Sequence, residues 1–163
     1  MNKQLSKIPV TSSISSEASA PEIKIRYSRK VPCSKLPKVT DSKCAEEYFR
    51  KYWDKDNLDY VEQFMALFLN RANKILGWSR ISIGGVNGTV ADPKVIFQIA
   101  LKSNASSIIL AHNHPSGNLQ VSSNDESLTK KLSKAGEYLE ISVLDHLIIT
   151  SESYFSFADD GRM

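Results

Sequence analysis

Residues 106–117 read SSIILAHNHPSG, and they decide the interpretation of the chain around them. The first half of the stretch is small or apolar with two adjacent isoleucines, which is typical of a strand buried on both faces. Pro115 and Gly117 then force the chain to turn. The pattern therefore predicts a buried strand over 106–111 that ends directly at His112 and His114.

Three further apolar runs predict the other strands of a sheet. Residues 60–69 (YVEQFMALFL) fit a strand buried on both faces, and residues 74–83 fit its neighbour. Residues 141–150 (ISVLDHLIIT) predict another strand. The aromatic group at 154, 155 and 157 is interpreted as a final strand or as packing against the sheet, rather than as a platform for stacking bases.

Helices are predicted between these runs from capping residues and helical spacing. The first begins at Asp41 or Ser42 and runs to about residue 53, the second begins at Asp92-Pro93, and the third opens at Ser122 or Ser123. The residues expected to face inward in the second and third helices are Val95, Ile96, Ile99, Ala100, Leu128, Leu132, Ala135 and Leu139.

The element order β-β-α-β-α-β-β behind an N-terminal helix predicts one mixed α/β (α+β) domain over 41–163, with helices covering a sheet. Residues 1–40 differ in composition, because they hold eight positive and two negative groups, whereas the remainder holds thirteen positive and sixteen negative. We interpret 1–40 as a basic, Ser-rich, partly disordered tail with a short edge strand at 23–27.

The bulk composition indicates an ordinary globular protein. Hydrophobic residues make up 41% of the 163 residues, and no apolar run approaches the roughly 18 residues that a membrane span needs. The N-terminus lacks the apolar core of a secretory signal. Cys33 and Cys44 are isolated and suggest neither a disulfide framework nor a zinc knuckle. A cytoplasmic location is expected, without a membrane partner.

His112 and His114 favour a metal site at the end of the predicted strand. Side chains two apart on an extended chain lie on the same side, about 6.5 Å apart, so both rings can converge on one ion. Catalytic zinc usually has three protein ligands and one open position. Asp125, in the first turn of the third helix, offers the third ligand. Zinc (Zn²⁺) is the expected ion.

Two further residues fit the chemistry of a metal-activated water. Glu62 lies in the run predicted to be a buried strand, where an unpaired carboxylate is costly, and it can serve as the base that takes a proton from water. Ser122 stands three residues before Asp125 and can donate a hydrogen bond to an oxyanion.

Structural interpretations of the same residues remain open at this point. His112 and His114 could be hydrogen-bonded turn residues, and Ser122 with Asp125 also forms a capping-box pattern. Glu62 could face solvent or pair with Arg71. His146 is either an alternative ligand, a group that orients a ligand or a structural residue, and we leave it out of the predicted ligand set.

The spacing His112-x-His114, seven residues, Ser122, two residues, Asp125, with Glu62 upstream, resembles the JAMM motif of JAB/MPN-type metalloproteases. The wider sequence resembles the JAB domain of RadC-type proteins over roughly 42–163. The strings that carry this resemblance are Gly88-Thr89-Val90, Asp92-Pro93, IILAHNHPSG at 108–117, Leu144-Asp145-His146 and Tyr154-x-Ser156-Phe157.

The resemblance implies a single cytidine-deaminase-like, JAB-type domain with a central mixed sheet flanked by helices. It implies that His112, His114 and Asp125 are zinc ligands, that Glu62 is the general acid/base and that Ser122 stabilises the oxyanion. RadC-type proteins commonly also carry an N-terminal helix-hairpin-helix module, for which residues 1–40 are too short and too polar.

The leading functional hypothesis is a zinc-dependent hydrolase of peptide or isopeptide bonds, with an unidentified peptide or protein substrate. The competing hypothesis is a non-catalytic, metal-binding accessory protein associated with DNA repair or recombination, whose basic tail makes weak contact with DNA. Phosphodiester hydrolysis is less favoured, because no ligands for a second metal and no Lys/Arg cluster lie near the histidines in the sequence.

Overall fold

The computed structural model describes residues 31–84 and 91–163. Most of the tail predicted at 1–40, including its edge strand at 23–27, falls outside these ranges. Two short 3-10 helices lie at Cys33–Lys35 and Lys55–Asn57. The remaining elements are, in chain order, α1 (Ser42–Tyr52), β1 (Gln63–Leu69), β2 (Ile75–Ile83), α2 (Pro93–Lys102), β3 (Ser107–Asn113), α3 (Ser123–Tyr138), β4 (Ser142–Ile149) and β5 (Tyr154–Ser156).

The five strands form one mixed sheet in the order β2-β1-β3-β4-β5. β1 is antiparallel to both β2 and β3, β3 is parallel to β4, and β4 is antiparallel to β5. The parallel pair needs a crossover connection, and α3 supplies it. The predicted fold class, a mixed sheet flanked by helices, is confirmed.

Each helix begins where its capping residue predicts. The Asp41 carboxylate accepts a hydrogen bond of 2.7 Å from the Cys44 backbone N–H at the start of α1. Asp92 accepts one of 2.9 Å from the Lys94 N–H at the start of α2, with Pro93 in the first turn. These bonds satisfy backbone donors that have no partner within the helix.

Hydrophobic residues lie on both faces of the sheet, which explains why β1 and β3 are largely apolar. Odd-numbered residues of β1 pack toward α1 and Phe49, whereas even-numbered residues pack toward α2 and α3, with Ile96 and Leu132. His112 continues the even-numbered series of β3, after Ile108 and Leu110. The alternation therefore directs His112 toward the face that carries α3.

Two of the expected inward positions are wrong. Val95 is exposed. The face of α2 that is buried against the sheet carries Ile96, Phe97 and Ala100, so it includes Phe97 in place of Val95. Leu139 is also exposed, because α3 ends at Tyr138 and Leu139 is its C-cap.

Gly136 allows the end of α3 to approach the start of β4. A Cβ atom at this position would lie 2.3 Å from the Ile141 carbonyl oxygen, which belongs to the backbone and cannot swing aside. We expect Gly136→Ala to lower the free energy of unfolding by about 1–3 kcal/mol, measured by urea denaturation. Gly77→Ala is the matched control, because nothing lies within 4 Å of the added Cβ, and equal destabilisation of both variants would contradict the steric explanation.

No helix within 31–84 and 91–163 combines the length and apolar character that a bilayer-crossing helix requires.

Candidate metal centre

The candidate site lies where β3 ends, on the face of the sheet covered by α3. His112 is the second-last residue of β3, and His114 follows the strand directly. Asp125 is the third residue of α3, so the first turn of that helix brings its carboxylate over the strand end. The chain leaves β3, forms a loop and enters α3, and this path brings the three side chains together.

The ligand atoms of these three residues all lie within 4.8 Å of one another. Nε2 of His112 lies 3.0 Å from Nε2 of His114 and 3.3 Å from Oδ1 of Asp125. Nε2 of His114 lies 3.8 Å from Oδ2 of Asp125. Atoms bound about 2.0–2.1 Å from a tetrahedral zinc are separated by about 3.3–3.4 Å, so the observed spacing fits a group that could hold a metal ion.

A hydrogen bond to the other ring nitrogen leaves Nε2 of His114, the nitrogen nearer to Asp125, without a hydrogen. Its Nδ1 lies 2.7 Å from the Asn118 carbonyl oxygen. A carbonyl oxygen only accepts, so Nδ1 of His114 carries the hydrogen and donates it. In the neutral ring Nε2 then presents a lone pair toward His112 and Asp125, as a metal ligand must.

Asp125 is held as a carboxylate by its neighbours. Burial raises its pKa, but the close contact with the His112 ring and the hydrogen bonds from the hydroxyl and the backbone N–H of Ser122 outweigh burial and leave the pKa well below its usual value. A carboxylate that stays ionised near neutral pH is the form that binds a cation.

Ser122 is the N-cap of α3 and forms a complete capping box with Asp125. The Ser122 hydroxyl donates to Oδ2 of Asp125 at 2.6 Å and accepts from the Asp125 N–H at 3.1 Å, and the Ser122 N–H donates to the same Oδ2 at 2.8 Å. The capping box that the sequence offered as a structural role for Ser122 and Asp125 is therefore formed. The bonds also fix the orientation of the Asp125 carboxylate.

Glu62 does not lie inside a buried strand, because β1 begins one residue later, at Gln63. Its side chain is half-buried, and its carbonyl accepts a hydrogen bond of 2.7 Å from Gly84 N–H. Phe64 of β1 is paired with His112 of β3. The pairing between β1 and β3 ends there, so Glu62 stands two residues beyond the paired part of β1, next to the end of β3.

Asn113 holds the segment around Glu62, a function that the sequence analysis did not predict. Its fully buried side chain accepts a hydrogen bond from Gln63 N–H at 2.6 Å and donates to the carbonyls of Leu58 at 2.6 Å and Val61 at 2.9 Å. The position of Asn113 between the two histidines is the signal that could have drawn attention to it.

His146 lies outside the three-residue group but directly behind it. Its ring is completely buried, which lowers its pKa, and Nε2 lies 2.9 Å from Nδ1 of His112. Phe157 stacks on the His146 ring at 4.9 Å between centroids, and Phe64 stacks on His112 at 6.1 Å. The two imidazoles are therefore held in fixed planes between aromatic side chains.

The family model of the RadC-like JAB domain matches residues 39–162. The chain belongs to the RadC-like JAB domain family. It is 43% identical to a UPF0758 protein of Flavobacterium johnsoniae over 127 residues, 78% of this chain and 54% of that protein. It is 40% identical to a UPF0758 protein of Porphyromonas gingivalis over 143 residues, 85% of this chain and 62% of that protein.

A UPF0758 protein of Desulforamulus reducens is 45% identical over 100 residues, which are 61% of this chain and 44% of that protein. The chain thus spans about half the length of the relatives it matches. The RadC-like JAB match covers every element from α1 to β5, including His112, His114 and Asp125.

Proposed function

We propose that this RadC-like JAB domain is a zinc-dependent hydrolase that cleaves a peptide or isopeptide bond. The observation that carries the proposal is the convergence of His112, His114 and Asp125, whose ligand atoms all lie within 4.8 Å of one another. His114 and Asp125 keep part of their side-chain surface exposed, 14% and 15%, so water and substrate can reach this end of the sheet.

The two histidines and the aspartate would hold the ion. A zinc ion in such a site lowers the pKa of a water to about 7 and polarises a carbonyl group. Glu62, two residues before Phe64 of β1, would take the proton of the attacking water and pass it to the leaving amine. Ser122, at the edge of the site, would turn its one hydroxyl hydrogen from Oδ2 of Asp125 to the oxyanion that forms as the carbonyl carbon becomes tetrahedral, while the Ser122 N–H keeps its bond to Oδ2.

Metal content is the first test of this proposal. Purified wild-type protein is expected to hold about one zinc per chain by elemental analysis, since one three-residue ligand group binds one ion. His114→Ala is expected to lose the metal, because it removes one of three ligands, whereas Glu62→Gln should retain it. A wild type that takes up no metal at micromolar zinc would overturn the hydrolase proposal.

Hydrolysis itself is tested with a mixed peptide library and with lysine-linked isopeptides, followed by mass spectrometry. The zinc-loaded protein is expected to cleave members of at least one set, and a chelator should stop the cleavage. Zinc binding without cleavage in either set would count against a peptidase.

The alternative function is a non-catalytic, metal-binding accessory protein associated with DNA repair or recombination. The observation that favours it is the excess of positive charge in residues 1–40, which hold eight positive and two negative groups. DNA affinity that weakens steeply with salt and disappears on deleting 1–40, without any effect of Glu62→Gln, would support it. In both functions the expected compartment is the cytoplasm.

A further inference from the structure

A buried chain of hydrogen bonds runs behind the metal site and links two of its ligands. The Thr129 hydroxyl lies 2.6 Å from the Asp125 carbonyl oxygen and 2.6 Å from Nδ1 of His146. Nε2 of His146 lies 2.9 Å from Nδ1 of His112. The chain thus joins α3, β4 and β3, and each of the two outer elements carries a predicted zinc ligand.

The chemistry of the groups decides the direction of every bond in this chain. The Asp125 carbonyl can only accept, so the Thr129 hydroxyl donates its single hydrogen there. Thr129 Oγ1 is then an acceptor toward His146, whose Nδ1 must carry the hydrogen. The neutral His146 ring therefore presents a lone pair at Nε2, and His112 donates its Nδ1–H to it. Nε2 of His112 is left without hydrogen.

Because the three side chains of this hydrogen-bond chain are buried, water cannot readily take the place of a lost partner. Thr129, His146 and His112 are 1%, 0% and 3% exposed. A buried donor or acceptor that loses its partner keeps the full cost of desolvation, so the reverse set of tautomers would leave Thr129 and the Asp125 carbonyl mismatched. The same bonds hold the ring of His112 in place relative to Asp125.

We propose that Thr129 and His146 are positioning residues that fix the Nδ1–H tautomer of His112 and so present its Nε2 lone pair to the metal. This inference deepens the proposed function, on which it rests for the identity of the ion. His146 acts through His112, and Thr129 acts through His146. Outer groups of this kind typically change metal affinity by about 10- to 100-fold.

The tautomer is measured directly in the metal-free full-length chain. The protein contains three histidines, so long-range ¹H–¹⁵N correlation of the imidazole rings gives a simple spectrum, recorded at about pH 8, where an ordinary imidazole is neutral. His112 is expected as the Nδ1–H form in the wild type and as a mixture in Thr129→Val. Thr129→Ser keeps the hydroxyl and should restore the wild-type form.

Zinc affinity is measured on the same proteins by competition with a chromogenic chelator. Thr129→Val is expected to bind zinc about 10- to 100-fold more weakly than the wild type, and Thr129→Ser to bind it as the wild type does. Thr150→Val is the matched control, because the Thr150 hydroxyl is also buried but donates to Ser153 O and accepts from Ser153 N–H instead of bonding to a histidine.

The inference is overturned if Thr129→Val keeps both the wild-type tautomer and the wild-type zinc affinity, or if His112 carries hydrogen on Nε2 in the wild type. The inference is also overturned if Thr150→Val weakens zinc binding as much as Thr129→Val does, since the effect would then come from a general loss of packing in the protein. If the wild-type protein binds zinc but cleaves nothing, only the hydrolase proposal fails. Failure of the hydrolase proposal can therefore be distinguished from failure of the positioning role of Thr129 and His146.

Discussion

Replacing Glu62 by glutamine is expected to slow peptide hydrolysis by about 100- to 10,000-fold while the metal stays bound, because the amide cannot accept a proton from water. Glutamine has nearly the size of glutamate, so the segment before β1 keeps its backbone bond to Gly84. Glu62 is not one of the three residues that converge on the ion, and the loss should therefore appear in turnover and not in zinc content.

The measurement is the initial rate on the best peptide from the library screen, with zinc content determined on the same samples. Glu126→Gln is the matched control. It removes one negative charge next to Asp125, but the Glu126 side chain pairs with Arg162 at 3.0 Å on the surface. Wild-type turnover in Glu62→Gln would exclude Glu62 as the proton acceptor, and equal losses in both variants would point to a general effect of charge.

The elements of the sheet were predictable because their signals are local. Residues 64–69 and 108–111 are apolar without interruption, which is typical of a strand covered on both faces. Asp41, Asp92 and Ser122 cap the helices that follow them. Apolar runs and helix caps can be recognised without knowing which elements pack against each other in the fold. The order of strands and helices along the chain could therefore be predicted from them.

The start of β1 was placed too early for a physical reason. Tyr60 and Val61 are apolar and continue the run into the strand, but the N–H groups of both bond to the Asn57 carbonyl in a turn. Tyr60 is 77% exposed. A hydrophobic residue at a turn costs little, so composition alone could not separate the turn from the strand.

The candidate site was predictable only in part. His112 and His114 are two apart on one strand, and Asp125 stands at a recognisable helix start, so the ligand group could be assembled from spacing. Thr129 and His146 are 17 residues apart in sequence, and their contact depends on how α3 packs against β4. Spacing says nothing about such a contact, which is why the sequence left three roles open for His146: an alternative ligand, a group that orients a ligand or a structural residue.

Replacing the buried Asn113 by leucine is expected to lower the free energy of unfolding by about 3 kcal/mol or more, since each buried group left without a partner costs about 1–3 kcal/mol. Leucine has a similar volume, so no large cavity opens. Three backbone groups lose their partner: the carbonyls of Leu58 and Val61 and the N–H of Gln63. These groups lie on both sides of Glu62 and hold it against the end of β3.

Urea denaturation of the metal-free protein measures this loss separately from any effect of the ion. Asn118→Leu is the matched control, because the Asn118 side chain accepts from Gln120 N–H in an exposed loop, where water can take over the bond. An Asn113→Leu variant as stable as the wild type would contradict the assignment. If the variant folds at low temperature, its zinc content should be unchanged while hydrolysis falls, because Asn113 holds the Glu62 segment and none of the three ligand side chains.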